Sequence, residues 1–166
     1  MAISTGSNSA DTHWLAEAIE LSKGCPATNS AFCVGAILVS ESGQVIAQGY
    51  SRQSDPKDHA EEAVLALAGA VLSGADLRDA TIYTSLEPCL RRESRPVSCA
   101  ELILRSGVRR VVYAWREPPT FQPGGGAAWL KDQGVVVIEV PALAPAAQAV
   151  NSALLAKYGR RQDLPS

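Results

Sequence analysis

Ser98-Cys99-Ala100-Glu101-Leu102-Ile103-Leu104-Arg105-Ser106-Gly107-Val108-Arg109-Arg110-Val111-Val112-Tyr113-Ala114 decides the fold, because a capped helix, a glycine stop and an apolar strand follow one another within it. The first amides of a helix need an acceptor, and the Ser98 hydroxyl is placed to supply one. Gly107 suits the left-handed residue that ends a helix, and residues 108–114 then read as a strand too apolar to face water on either side. The order repeats downstream as a helix at 127–132, Gly134 and a strand at 135–140, and residues 81–85 supply another short strand upstream. Such alternation of helix and strand predicts an α/β domain with a sheet covered on both faces.

Toward the N-terminus, Trp14, Leu15, Ala18, Ile19 and Leu21 recur at helical spacing, which predicts a helix over 12–23 that stops at Gly24 and Pro26. Residues 33–39 and 45–50 read as antiparallel strands joined through Glu41-Ser42-Gly43. Asp58 precedes a helix expected to reach about Leu72, with Val64, Leu67, Ala68 and Val71 on one face and Gly74 as its stop. After Pro141 breaks the last strand, 143–158 reads as mainly helical with an interruption permitted near Pro145. Together these elements predict one three-layer α/β/α domain over 1–166, with 1–10 and 159–166 expected to be flexible termini. Residues 117–126, with three prolines and three consecutive glycines, form either a pocket rim or a plain connection around the sheet edge.

The composition narrows the function classes. The 166 residues are 46% hydrophobic and 19% charged with a net charge of −2, so no polybasic surface for nucleic acid is expected. No stretch approaches the roughly 18 apolar residues of a membrane span, and residues 2–11 are polar, so a cytoplasmic location without membrane attachment is expected. In that setting Cys25, Cys33, Cys89 and Cys99 are expected as reduced thiols.

His59-Ala60-Glu61, Pro88-Cys89 and Cys99 carry the chemistry. One imidazole and two thiolates suit a zinc ion (Zn2+) better than magnesium or calcium, and three protein ligands leave a fourth position for water. Glu61, beside the metal without binding it, is the candidate proton shuttle for hydrolytic removal of an amine from a heterocycle. Each residue also has an ordinary explanation. Asp58 and Glu61 fit a capping box, a lone histidine is usually a hydrogen-bonded boundary residue, and buried cysteines usually pack as small apolar groups. Only the ordered combination favours the metal.

The combination resembles the zinc-dependent cytidine and deoxycytidylate deaminase superfamily. Tyr83-Thr84-Ser85-Leu86-Glu87-Pro88-Cys89, Cys99-Ala100-Glu101-Leu102-Ile103, Ser106-Gly107-Val108 and Arg109-Arg110-Val111 are similar to the pyrimidine deaminase domain of riboflavin-biosynthesis enzymes. That resemblance implies a five-stranded mixed sheet between helices, zinc held by His59, Cys89 and Cys99, Glu61 as catalytic residue, and a homodimer or homotetramer. The nine residues between the two cysteines exceed the two-residue spacer of ordinary cytidine deaminases and lack the histidine, glycine and threonine of the riboflavin type.

The expected substrate is a small amino-heterocycle, nucleoside or nucleotide, with a pyrimidine-like ring first, a purine such as guanine second, and a zinc-holding structural or regulatory protein as the non-enzymatic alternative. Asn29 and Phe32 are candidate substrate contacts, or else a turn residue and a core residue. Arg91, Arg92 and Arg95 are candidates for holding a phosphate or carboxylate, or else an ordinary solvated cluster. Trp115 is a candidate stacking or lid residue, or part of a rim or subunit contact.

Overall fold

The computed structural model describes residues 6–73 and 76–162. The elements in chain order are α1 (Ser9–Ser22), β1 (Gly35–Val39), β2 (Val45–Tyr50), α2 (Ala60–Gly69), β3 (Thr81–Leu86), α3 (Cys99–Ser106), β4 (Arg110–Trp115), α4 (Gly126–Asp132), β5 (Val136–Glu139), a 3-10 turn (Pro141–Leu143), α5 (Ala144–Val150) and α6 (Ser152–Gln162). One mixed sheet has the order β2-β1-β3-β4-β5. β1 is antiparallel to β2 and β3, whereas β3, β4 and β5 run parallel through the α3 and α4 crossovers. α1 and α5 pack on one face and α2, α3 and α4 on the other, giving the expected three layers. Among the described residues no helix is long and apolar enough to cross a membrane.

Element boundaries shift where side chains take over backbone hydrogen bonds. Asn8 and Asp11 close a reciprocal capping box, each side chain 3.0 Å from the other's amide, so α1 starts earlier than its apolar pattern suggested. β1 begins at Gly35 rather than Cys33 because the Cys33 amide donates to Asn151 and the Val34 amide to the Ser51 hydroxyl. α2 ends at Gly69, short of Leu72, and the expected stop at Gly74 lies outside the described residues. Gly107 does end α3, at φ 93°.

The C-terminal helix breaks at Asn151 instead of Pro145. Pro145 sits in the first turn of α5, where a missing amide hydrogen costs nothing. Asn151 is buried, accepts from the Cys33 amide at 2.7 Å, and donates to the carbonyls of Cys33 and Ala147 at 3.0 and 3.1 Å. These bonds tie the segment before β1 to the end of α5. Beyond the break, α6 continues through Gln162, past Gly159 where the chain was expected to loosen.

A buried ion pair crosses from α1 to the sheet. Asp11 is fully buried and receives two 2.7 Å bonds from the Arg110 guanidinium plus one of 3.0 Å from the Tyr83 hydroxyl. Burial pushes the Asp11 carboxyl up, but the bonds from Arg110 and Tyr83 outweigh it and hold the group below the usual carboxylate range. Asp11→Asn should therefore destabilise the fold by about 3–5 kcal/mol at pH 7, since it removes the carboxylate that faces a buried guanidinium. The contribution is complete above the unfolded value near pH 4 and disappears as pH falls through the lower folded value, so the two proteins should converge in acid. Urea titrations from pH 7 to pH 3 would show this, and equal midpoints at pH 7 would contradict it.

Candidate metal centre and its pocket

The start of α2, the loop after β3 and the start of α3 meet at one edge of the sheet. His59 is the N-cap of α2 with extended backbone, and its ring makes no capping bond. Its Nδ1 lies 3.6 Å from Cys89 Sγ and 3.3 Å from Cys99 Sγ, and the three candidate ligand atoms all fall within 4.8 Å of one another. A tetrahedral zinc with bonds of about 2.3 Å to sulfur and 2.0 Å to nitrogen needs N···S edges of roughly 3.5 Å, so the donor set fits that ion.

Local structure prepares the sulfurs for negative charge. The Cys99 amide, first in α3, points at Cys89 Sγ at 3.4 Å, and the Ala100 amide holds the Cys89 carbonyl at 3.1 Å. The hydrogen bond from Cys99, assisted by the nearby imidazole, pulls the Cys89 thiol down to about 4. The same bond and complete burial push Cys99 up. A dication gives both sulfurs and the imidazole a shared counter-charge, which a single proton between the thiols does not.

Glu61 sits in the first turn of α2, only 3% exposed, and its Oε1 accepts a 2.8 Å bond from the Thr84 hydroxyl on β3. The capping-box reading fails because His59, not Asp58, is the N-cap, which moves Glu61 out of the position such a box requires. Asp58 instead accepts from Arg95 at 2.9 Å. Burial raises the Glu61 carboxyl, with Cys89 adding repulsion against the pull of His59. It faces the same cavity of about 450 Å³ as His59 and Cys89.

The structure divides the expected substrate contacts. Phe32 lines the cavity, edge-on to Trp115 at 5.0 Å and to Phe121 at 5.1 Å. Trp115 is buried behind Phe32 and supports it instead of forming the wall. Asn29 lies outside the lining, and its carbonyl accepts from Tyr158 at 2.9 Å. Arg95 is also outside, paired with Asp58, Asp55 and Glu62. Arg92 reaches the cavity wall, yet its side chain is 3% exposed and donates to the Lys57 carbonyl at 2.6 Å and to Glu62 at 3.2 Å. These two arginines thus bolt the intercysteine loop to the region where α2 begins, leaving exposed Arg91 with Lys57 at the mouth.

Two functional carboxyls escaped the sequence analysis. Glu87 accepts from the Glu117 amide at 3.0 Å and from the Ala127 amide at 2.9 Å, so it docks segment 117–126 against the metal loop. The approach is close enough that a Cβ on Gly126 would lie 1.8 Å from the Pro88 carbonyl oxygen. The segment is accordingly a pocket wall, the first of its two possible readings. Glu117 itself lines the cavity, and its Oε2 is buried with no protein hydrogen-bond partner. Burial, then repulsion from Cys89, Glu61 and Glu87, pushes its carboxyl up to about 8. A carboxylate just past the end of β4, next to the strand that the Cys89 loop leaves, was the available signal.

The geometry agrees with what the chain is similar to. The pattern of the cytidine and deoxycytidylate deaminase zinc-binding region matches residues 8–115. The diaminohydroxyphosphoribosylamino-pyrimidine deaminase of Schizosaccharomyces pombe is 37% identical over 126 residues, 76% of this chain and 31% of that protein. Riboflavin biosynthesis protein RibD of Aquifex aeolicus is 38% identical over 104 residues, 63% of this chain and 27% of that protein. The chain thus spans about a third of the length of these curated relatives. Among solved structures, the Thermotoga maritima diaminohydroxyphosphoribosylaminopyrimidine deaminase/5-amino-6-(5-phosphoribosylamino)uracil reductase superposes with a TM-score of 0.78 at 29% identity, over 92% of this chain and 42% of that one. Aspergillus oryzae Rib2 deaminase in complex with DARIPP gives 0.70 at 27% identity, over 80% and 84%. With its match running from the cap of α1 to the end of β4, through all three candidate zinc ligands, the chain belongs to the zinc-binding cytidine and deoxycytidylate deaminase family.

Proposed function

We infer that this chain is a zinc-dependent aminohydrolase that replaces an exocyclic amine on a pyrimidine-like ring by oxygen and releases ammonia. The observation that carries the reading is the convergence of His59 Nδ1 and the Cys89 and Cys99 sulfurs, with buried Glu61 facing the same cavity. A buried carboxylic acid costs stability unless it has a task, which favours an enzyme over a purely structural zinc protein. The named activity of the Schizosaccharomyces pombe relative and the ligand in the Aspergillus oryzae structure support a ribosylated diaminopyrimidine bearing phosphate as the first substrate to test.

When bound by His59, Cys89 and Cys99, zinc supplies the Lewis acidity that makes water a nucleophile near neutral pH. Glu61 takes a proton from the attacking water and passes it to the ring nitrogen, then assists the second transfer that lets the amine depart as ammonia. Thr84 holds the carboxylate in place for both transfers. Phe32 offers an apolar ring to the heterocycle, and Arg91 with Lys57 sets positive charge at the mouth for a phosphate. Glu117, its carboxyl raised by burial, lines the cavity with an oxygen that no protein group satisfies and that is free to bond the donor and acceptor edge of a ring. Exposed Leu67 on α2 and exposed Val71 just past its end support the self-association expected of the family.

Glu61→Gln should keep its zinc while ammonia release falls by about 10²–10⁴-fold, the contribution of a general acid–base group. Metal analysis beside an ammonia assay on amino-pyrimidine bases, nucleosides and nucleotides decides the matter. Undiminished release by the variant, or none from the zinc-loaded wild type across the panel, would overturn the reading. Glu117→Ala should retain zinc but lose roughly 10–100-fold in kcat/KM, the equivalent of about 1–3 kcal/mol for a buried hydrogen bond. An unchanged kcat/KM for every accepted substrate would remove Glu117 from recognition.

A further inference from the structure

A second pair of thiols lies away from the metal ligands. Cys25 follows α1 and Cys33 precedes β1, and the loop between them folds so that both thiols face the Pro26 carbonyl, Cys25 Sγ at 3.5 Å and Cys33 Sγ at 3.9 Å. Both converge on one nitrogen, Arg52 Nη2, which is 2.9 Å from Cys25 Sγ and 3.4 Å from Cys33 Sγ. The guanidinium is fixed by three further bonds, from Nη2 and Nε to the Pro26 carbonyl at 2.8 and 3.2 Å and from Nη1 to the Phe32 carbonyl at 3.4 Å. Arg52 itself is held at φ 58°, a left-handed conformation that disfavours a non-glycine residue, by the bond from its amide to the Asp58 carbonyl at 2.8 Å.

An arginine aimed at two thiols favours a thiolate. Cys25 is buried and Cys33 is partly exposed, so an oxidant from solvent meets Cys33 first. The neighbouring Cys25 thiol, with the charge of Arg52, brings the Cys33 thiol down to about 7 against the opposing effect of burial. Cys25 is pushed up by the neighbouring Cys33 sulfur and by burial, so it remains the protonated partner.

We propose that Cys25 and Cys33 form an oxidisable dithiol, with Cys33 as the peroxide-reactive thiolate, Cys25 as the resolving thiol and Arg52 as the residue that activates them. The Cys33 sulfur attacks one oxygen of hydrogen peroxide, the O–O bond breaks, and Cys33 becomes a sulfenic acid as hydroxide leaves. The Cys25 sulfur then displaces the sulfenic hydroxyl, gives up its proton, and forms the disulfide as water departs. Two electrons pass from the sulfurs to the peroxide, and a dithiol reductant reverses the change. Because Arg52 and Phe32 also line the candidate active-site cavity, oxidation alters a wall of that cavity by removing the charged partner of Nη2.

The test uses the zinc-loaded full chain, about one equivalent of hydrogen peroxide, alkylation of remaining thiols, and mass spectrometry after trypsin. Cys25 and Cys33 share the tryptic segment 24–52, so the disulfide appears as loss of two hydrogens and of both alkylation marks, restored by dithiothreitol. Cys25→Ser should stop at a Cys33 sulfenic acid trapped by dimedone, and Arg52→Gln, in which the tryptic segment carrying both thiols extends to Lys57, should slow their oxidation at least about tenfold. Two alkylated thiols in segment 24–52 after peroxide treatment of the wild type would overturn the proposal. So would oxidation as fast in Arg52→Gln as in the wild type, which would remove Arg52 as activator. Neither readout involves ammonia release, so failure here is distinct from failure of the deaminase reading.

Discussion

The abutment of two helix N-termini at the end of β3 is the constraint on which the site depends. α2 brings His59 as its N-cap, α3 brings Cys99 as its first residue, and the turn leaving β3 places Cys89 between them. Those termini also carry the positive ends of the helix dipoles, which suits sulfurs that must be negative to bind metal. Parallel pairing of β3 with β4 through α3 fixes which end of the sheet this is. The buried Asp11–Arg110 pair, at the opposite end of β4 from Glu117, locks α1 to the same sheet.

Negative charge accumulates around Cys89 to an extent that a protein without a cation would find costly. Glu61, Glu87 and Glu117 all approach the same cavity, and the carboxyls of Glu61 and Glu117 are raised by burial first and by repulsion from Cys89 after it. Each carboxyl is handled differently. Glu87 is satisfied by two backbone amides and serves as a clamp, Glu61 is steadied by a single hydroxyl, and Glu117 keeps one oxygen without a protein partner. The clamp holds a wall, whereas the other two face the cavity with bonding capacity left over.

The fold and the grouping of the candidate metal ligands were legible because both rest on short sequence signals. Ser98 and Gly107 mark α3 by capping, and the spacing of His59, Glu61, Cys89 and Cys99 survives without tertiary detail. What was illegible depends on long-range bonding. The break at Asn151 comes from its bonds to Cys33, 118 residues away, and Arg92 and Arg95 read as an anion cluster only while Asp58 and Glu62 are unseen. Trp115 likewise reads as a surface aromatic until Phe32 covers it. Glu117 escaped because its environment arises from three carboxyl- or sulfur-bearing residues on other segments.

Extended X-ray absorption at the zinc edge of the purified wild-type chain tests the central claim most directly. Two sulfurs at about 2.3 Å, one imidazole nitrogen at about 2.0 Å and one light atom from solvent are the neighbours that His59, Cys89 and Cys99 require. A shell with fewer than two sulfurs, or one closed by four protein donors, would contradict the account.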